Sequence, residues 1–237
     1  AMAQACTTNT ATTGLLDHID TVSAAKDLDI LRALSGSSAL TYLGYSYGTY
    51  LGATYAELFP GNVGRMVLDG AVDPTLSAAA LTQGQAQGFE SALRAYVTDC
   101  LGGKDCPLTG DVDSGVKQIQ AFLESTRNRP LRTADPSRPL TPSLAWSAVL
   151  DILYQSQGLT QAMKQDDGSV LLYISDLFAS RSKDGTYSGN GDEVINAINC
   201  LDYPVEGDAA VWDQEATELR GASPTFGEEL AYSDLYC

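Results

Sequence analysis

The sequence predicts an α/β protein in which a small parallel-stranded core, residues 1–74, precedes a mostly helical domain, residues 75–237. Three observations predict it. A short apolar run (Ala39, Leu40, Tyr42, Leu43) leads into Gly44-Tyr45-Ser46-Tyr47-Gly48, and a helix-compatible segment follows until Pro60 stops it. Val63 to Leu68 then reads as a second strand, and strand, helix, strand in that order implies a right-handed crossover and a parallel pair. After Pro74 the alternation ends and only helical patterns recur.

Taken in order, Cys6 to Gly14 is Thr-rich, shows no periodicity and reads as a loop. Thr21 to Ala33 carries apolar residues at Ala24, Leu28, Leu31 and, just beyond, Leu34, one helical stripe suited to packing on a sheet, with Thr21 or Ser23 as N-cap and Gly36 beyond the end. After the strand at Ala39 to Tyr45, residues Gly48, Gly52, Ala53 and Ala56 put small side chains on one helical face, which allows close approach to strands. Beyond Pro74, helices are expected near Gln85 to Leu101, Ser114 to Thr126, Ser143 to Tyr154, Ser169 to Ser180, Glu193 to Asp202, Asp208 to Arg220 and Phe226 to Leu235. Proline-containing loops such as Pro130 to Pro142 separate them.

Strand, sharp turn and helix around Gly-x-Ser-x-Gly is the context of a nucleophile elbow. The Ser occupies a strained turn, and the flanking glycines leave room where a Cβ would clash. Ser46 is therefore the candidate nucleophile, and the backbone N–H of Tyr47 is placed to face the oxyanion that forms on an attacked carbonyl. Asp69 and Asp73, just after the second strand, are weaker candidates for a triad acid. Asp184, Thr186, Ser188 and Gly189 echo the start of a calcium loop, but Ile195 stands where the bidentate Glu belongs, so no metal site is expected.

At 237 residues and 44% hydrophobic, the chain can bury a real core. No apolar run approaches the length of a spanning helix, and the first six residues lack the basic and apolar regions of a secretory leader. Fourteen basic residues against 30 acidic ones give a net charge of −16, which argues against nucleic acid or an anionic membrane as partner. A cationic group, such as a peptide's free amino terminus, suits that field better. Of five cysteines, Cys100 and Cys106 flank a glycine-containing turn able to close a small disulfide loop, and Cys200 and Cys237 are available for a second bridge. That usage suggests an exported protein in an oxidising compartment, with Cys6 left over.

A serine nucleophile needs a base, normally His oriented by a carboxylate, and in α/β-hydrolases the chain order is Ser, acid, His. The single histidine, His18, precedes Ser46. The sequence therefore predicts a partial hydrolase core, inactive alone, with N- and C-terminal parts of a parent hydrolase missing.

The stretch LTYLGYSYGTYLGATYAELFPGNVGRMVLDGAVDP resembles the elbow region of the secreted actinobacterial tripeptidyl aminopeptidases, α/β-hydrolases related to proline iminopeptidases. The resemblance continues upstream through Thr21 to Leu34 and, less specifically, downstream through Asp99-Cys100 to Cys106-Pro107 and Ile198-Asn199-Cys200-Leu201-Asp202 to Cys237. It implies a cofactor-independent serine exopeptidase that removes short peptides from free N-termini, with a helical cap. Ser46 matches the nucleophile and the Tyr47 N–H an oxyanion donor, while the family's Asp, His and Gly-rich oxyanion loop match no residue here. Beside Cys200, Asp202 is a candidate holder of the substrate ammonium, or an ordinary helix-end carboxylate. Two further readings are an esterase or lipase using the same elbow, and a non-catalytic binding module that kept the elbow without the triad.

Overall fold

In the computed structural model, which describes residues 2–12, 14–153, 158–205, 207–232, 235 and 237, a first helix, α1 (Met2–Asn9), stands where the sequence suggests a loop. The Thr8 hydroxyl donates to Gln4 O at 2.8 Å and that of Thr10 to Cys6 O at 2.6 Å. These bonds satisfy the hydroxyls locally, and the run carries no apolar stripe to announce a helix. A 3-10 turn, Leu15–His18, follows.

Helix α2 (Thr21–Leu34) is capped by Asp20, one residue before Thr21 and three before Ser23, the two expected caps, and the Asp20 carboxylate accepts from Ser23 N at 2.9 Å. The expected stripe is also rotated. Thr21 and Ala25 are buried, while Leu31 and Leu34 are 61% and 79% exposed, and α2 packs chiefly on the next helix rather than on strands. A polar cluster explains the turn of the face. Asp29 Oδ1 accepts from Arg32 Nε (2.7 Å), from the hydroxyl of fully buried Tyr55 (2.8 Å) and from Asn62 Nδ2 (2.9 Å).

Strand β1 (Leu40–Tyr45) runs into α3 (Tyr47–Leu58), and β2 (Val63–Asp69) returns parallel to β1. Tyr42 lies opposite Met66, Gly44 opposite Leu68 and Tyr45 opposite Asp69, with a bulge between Leu40 and Tyr42. On one face of this pair Tyr42 and Leu68 pack against Gly52 of α3, whose missing Cβ would lie 2.7 Å from each side chain. On the other face Leu43, Tyr45 and Val67 are exposed.

The remaining helices are α4 (Ala78–Gly102), α5 (Val112–Asn128), α6 (Pro142–Ile152), α7 (Gly158–Gln165), α8 (Ser169–Phe178), α9 (Gly191–Asp202), α10 (Ala209–Ala222) and α11 (Gly227–Leu230). No reading of the sequence anticipated α7, and the helix expected from Phe226 to Leu235 is limited to α11, with residues 233 and 234 outside the described set. Tyr154, the expected end of the α6 helix, also lies outside it. Beyond β2 the described residues add only the isolated bridges Leu131 to Leu140 and Arg181 to Tyr187.

The chain divides into two compact units, one of Ala1–Leu81, Asp192–Gly207 and Ser233–Cys237, the other of Thr82–Gly191 and Asp208–Tyr232. Among its described residues the second is helix and loop with two isolated bridges, around a core that includes Leu93, Val97, Ile119, Val149, Leu171 and Phe226. The buried carboxylate of Glu90 is satisfied by Ser223 Oγ, Thr225 N and Thr225 Oγ1 at 2.9–3.0 Å. Cys100 is bridged to Cys106 in this unit, and Cys200 to Cys237 in the first. Among the described residues no helix is long and apolar enough to cross a membrane.

The Asp29 cluster sets an acid limit on the first unit. The Arg32 guanidinium, aided by Tyr55 and Asn62, holds the Asp29 carboxyl down from 3.8 to about 2. Its contribution is complete above the unfolded value of 3.8 and is lost as pH falls toward about 2. Asp29→Asn is expected to destabilise the chain at neutral pH and to flatten the acid limb in that window, as read from denaturation midpoints measured across pH.

Candidate active site

Ser46 sits between β1 and α3 with φ 50° and ψ −122°, a backbone conformation that L-residues rarely adopt. Its two peptide groups belong to different elements. The Ser46 N–H donates to Asp69 O at 3.1 Å, extending the parallel ladder by one residue, whereas Ser46 O accepts from Thr49 N at 2.8 Å and from Thr49 Oγ1 at 2.6 Å, the first turn of α3. Buried Thr49 in turn accepts from Val72 N at 2.9 Å, tying the turn to the segment after β2. Strain of this kind costs about 1–3 kcal/mol and persists only where the surroundings over-determine it.

The two motif glycines are not equivalent. A Cβ on Gly44 would lie 2.4 Å from Gly48 O and 2.7 Å from the Tyr42 ring, because the first turn of α3 crosses the end of β1 there. A Cβ on Gly48 would meet only Tyr42 Oη, at 3.4 Å. The expected need for two flanking glycines therefore reduces to one. Tyr42 itself braces the crossing, its hydroxyl donating to Gly48 O at 2.6 Å.

The Ser46 side chain is exposed and does not cap α3, which leaves Oγ unspent. Tyr47 is the first residue of α3, so its N–H has no carbonyl one turn back to receive it, and the positive end of the helix dipole lies at the same place. A hydroxyl beside an unspent N–H at a helix start can attack a carbonyl and hold the resulting oxyanion.

The other sequence candidates are placed differently. His18 closes the exposed turn Leu15–His18, and no hydrogen bond joins it to Ser46 among the described residues. Asp73 accepts from Thr75 N and Oγ1 at 2.9 and 2.7 Å, which holds its carboxyl below the usual range. Asp69 meets Ser46 through its backbone carbonyl. Asp184 accepts from Thr186 N and Oγ1 in a local turn, and no three His, Cys, Asp or Glu side chains converge among the described residues. Asp202, the last residue of α9, accepts from Thr21 N on Oδ1 at 2.7 Å and from Thr21 Oγ1 on Oδ2 at 2.5 Å.

Sequence reasoning missed Thr49, Tyr42 and Thr21. Only Thr49 left a local signal, a hydroxyl residue three positions after Ser46, suited to bonding back to its carbonyl.

A two-stranded parallel core with a strained serine between strand and helix defines a class, and the comparison with known proteins agrees. The model of the alpha/beta hydrolase fold family matches residues 4–185, and the chain belongs to that family. Its relatives include the serine protease Hip1 of Mycobacterium tuberculosis (strain ATCC 25618 / H37Rv), 40% identical over 202 residues, which cover 80% of this chain and 38% of the relative. Carboxylesterase B of the same strain is 35% identical over 216 residues, 88% of this chain and 41% of the relative. The tripeptidyl aminopeptidase of Streptomyces lividans is 31% identical over 243 residues, 94% of this chain and 42% of the relative. The chain thus spans about two fifths of the length of the curated relatives it matches.

The glycine asymmetry is testable by stability alone. Gly44→Ala is expected to cost about 1–3 kcal/mol, because backbone rather than a movable side chain receives the new methyl. Gly48→Ala, inside α3, is expected to be neutral or to gain up to about 1 kcal/mol from helix propensity. Urea unfolding of the two variants beside the parent checks the ordering.

Proposed function

We propose that the gene product carrying this chain is a secreted serine exopeptidase that releases short peptides, tripeptides in particular, from free N-termini. The observation that carries the reading is the backbone of Ser46, φ 50° and ψ −122°, with its Oγ free of any capping bond at the start of α3. The likeness to Hip1 and to the Streptomyces tripeptidyl aminopeptidase supports a peptidase. Two disulfides support an oxidising compartment.

In this reading Ser46 Oγ attacks the scissile carbonyl while its proton passes to a histidine, and the developing oxyanion is held by the Tyr47 N–H, a donor of a kind worth about 10²–10³ in kcat. The amine leaves with that proton, and water then hydrolyses the acyl-enzyme by the same route in reverse. The acid, the histidine and a second oxyanion donor come from parts of the gene product outside these 237 residues, so the chain alone is inert. The helical segment after residue 74 supplies the cap of the hydrolase. No cofactor enters the mechanism.

A carboxylesterase is the second reading, favoured by the 35% identity to Carboxylesterase B. Nothing in an elbow selects an amide over an ester.

The full gene product is expected to be labelled by a fluorophosphonate with the mass of one adduct, and Ser46→Ala to remain unlabelled. It is expected to cleave tripeptidyl p-nitroanilides with a free amino terminus and to spare N-blocked ones. Turnover of p-nitrophenyl esters with no anilide cleavage would transfer the assignment to the esterase. Absence of both labelling and turnover would leave a binding module.

A further inference from the structure

Three side chains from three elements meet beside the elbow. Thr21 Oγ1 lies 2.5 Å from Tyr47 Oη and gives its own proton to Asp202 Oδ2, also at 2.5 Å. A hydroxyl has one proton, so Tyr47 is the donor in the remaining bond. The chain of donors therefore runs from Tyr47 through Thr21 to Asp202, and the acceptor-only carboxylate sets its direction. Asp202 also takes the Thr21 N–H, an otherwise orphan donor in the first turn of α2. Thr21 is 1% exposed. Burial, joined by the charges of Asp202 and Asp20, raises the Tyr47 hydroxyl pKa against the opposing pull of the Thr21 bond, which keeps Tyr47 a neutral donor at physiological pH.

A second contact joins the same elements. Tyr203, the neighbour of Asp202, stacks on Tyr50 with ring centres 6.0 Å apart and planes 19° apart, and Tyr50 lies one turn along α3 from Tyr47. The end of α9 thus grips both the first and second turns of α3. Cys200, two residues earlier, is bridged to Cys237.

We propose that Asp202 is a positioning residue for the oxyanion donor: acting through Thr21, it fixes the Tyr47 side chain and with it the direction of the Tyr47 backbone N–H. The inference rests on the reading of Ser46 as nucleophile and goes beyond it. An oxyanion donor works only if it is aimed before charge develops. Here the N–H cannot be aimed by an intrahelical bond, because Tyr47 is the first residue of α3, and the peptide before it belongs to strained Ser46. Thr49 holds that peptide's carbonyl and the Asp202 chain holds the tyrosine that carries its N–H. The alternative use of Asp202, as counter-charge to a substrate ammonium, makes the opposite kinetic prediction.

The test uses the full gene product with Asp202→Asn, Tyr47→Phe, Thr21→Val and Thr21→Ser. For a free-N-terminal tripeptidyl p-nitroanilide, Asp202→Asn and Tyr47→Phe are expected to lower kcat by about 10–100-fold with KM changed by less than about twofold, the size and pattern of a misaimed transition-state donor. The rate of fluorophosphonate inactivation, in which no ammonium takes part, falls by the same factor. Thr21→Ser, which keeps both donors, recovers most of the kcat lost in Thr21→Val. Tyr47→Phe removes a single oxygen, so it still reports if Asp202→Asn or Thr21→Val fails to fold. A rise in KM confined to substrates with a free amino terminus, with the inactivation rate unchanged, overturns the proposal in favour of ammonium binding. Variants equal to wild type in both rates overturn it outright, whereas a wild type that the probe never labels overturns the nucleophile assignment beneath it.

Discussion

The first unit depends on one constraint, the crossing of α3 over the end of β1. Gly44 allows the crossing by lacking a Cβ, and Ser46 completes it by adopting a backbone conformation that neither strand nor helix uses. Everything nearby stabilises that turn. Asp69 O receives the Ser46 N–H on the strand side, Thr49 holds the carbonyl on the helix side, and Tyr42 bonds Gly48 O beneath. The Ser46 hydroxyl makes no capping bond and the Tyr47 N–H, at the first position of α3, has no intrahelical acceptor, and these are two groups an acyl transfer can use.

The same unit fixes its helices through buried or half-buried carboxylates rather than through a broad apolar face. Asp29 gathers Arg32, Tyr55 and Asn62, and Asp202 gathers Thr21 and, through it, Tyr47. These contacts specify geometry more sharply than apolar packing would, since each hydrogen bond has a direction. Leu31 and Leu34 of α2 and Leu43 and Val67 of the sheet remain exposed, although parallel strands ordinarily bury both faces. In the second unit the balance is reversed, with an apolar core between helices and, among the described residues, Glu90 as the buried carboxylate.

Local signals carried a good part of this arrangement. Both strands, their parallel pairing, α3 and the turn at Ser46 were legible because strand, glycine and helix patterns lie within 31 consecutive residues, Ala39 to Asp69. The rest lacked a local signature. Helix α1 is polar and Thr-rich, its Thr8 hydroxyl bonding back to Gln4 O, and it carries no periodic apolar stripe to be read. The face that α2 buries is chosen by Asp29 meeting Tyr55 and Asn62, residues 26 and 33 positions away. The partnership of Asp202 with Thr21 spans 181 positions, and the sequence offered Asp202 only a substrate ammonium or a helix end as partner. In Gly-x-Ser-x-Gly the spelling treats both glycines alike, and only the three-dimensional crossing separates the one whose Cβ is forbidden from the one whose Cβ fits.

The measurement that tests the account most directly is a crystal structure of the full gene product after reaction with a fluorophosphonate. A covalent bond from Ser46 Oγ to phosphorus is expected, with the phosphoryl oxygen accepting a hydrogen bond from the Tyr47 N–H at about 2.7–3.1 Å. The Tyr47, Thr21 and Asp202 chain is expected to be intact beneath. An adduct on another residue, or a phosphoryl oxygen turned away from the start of α3, would contradict the account.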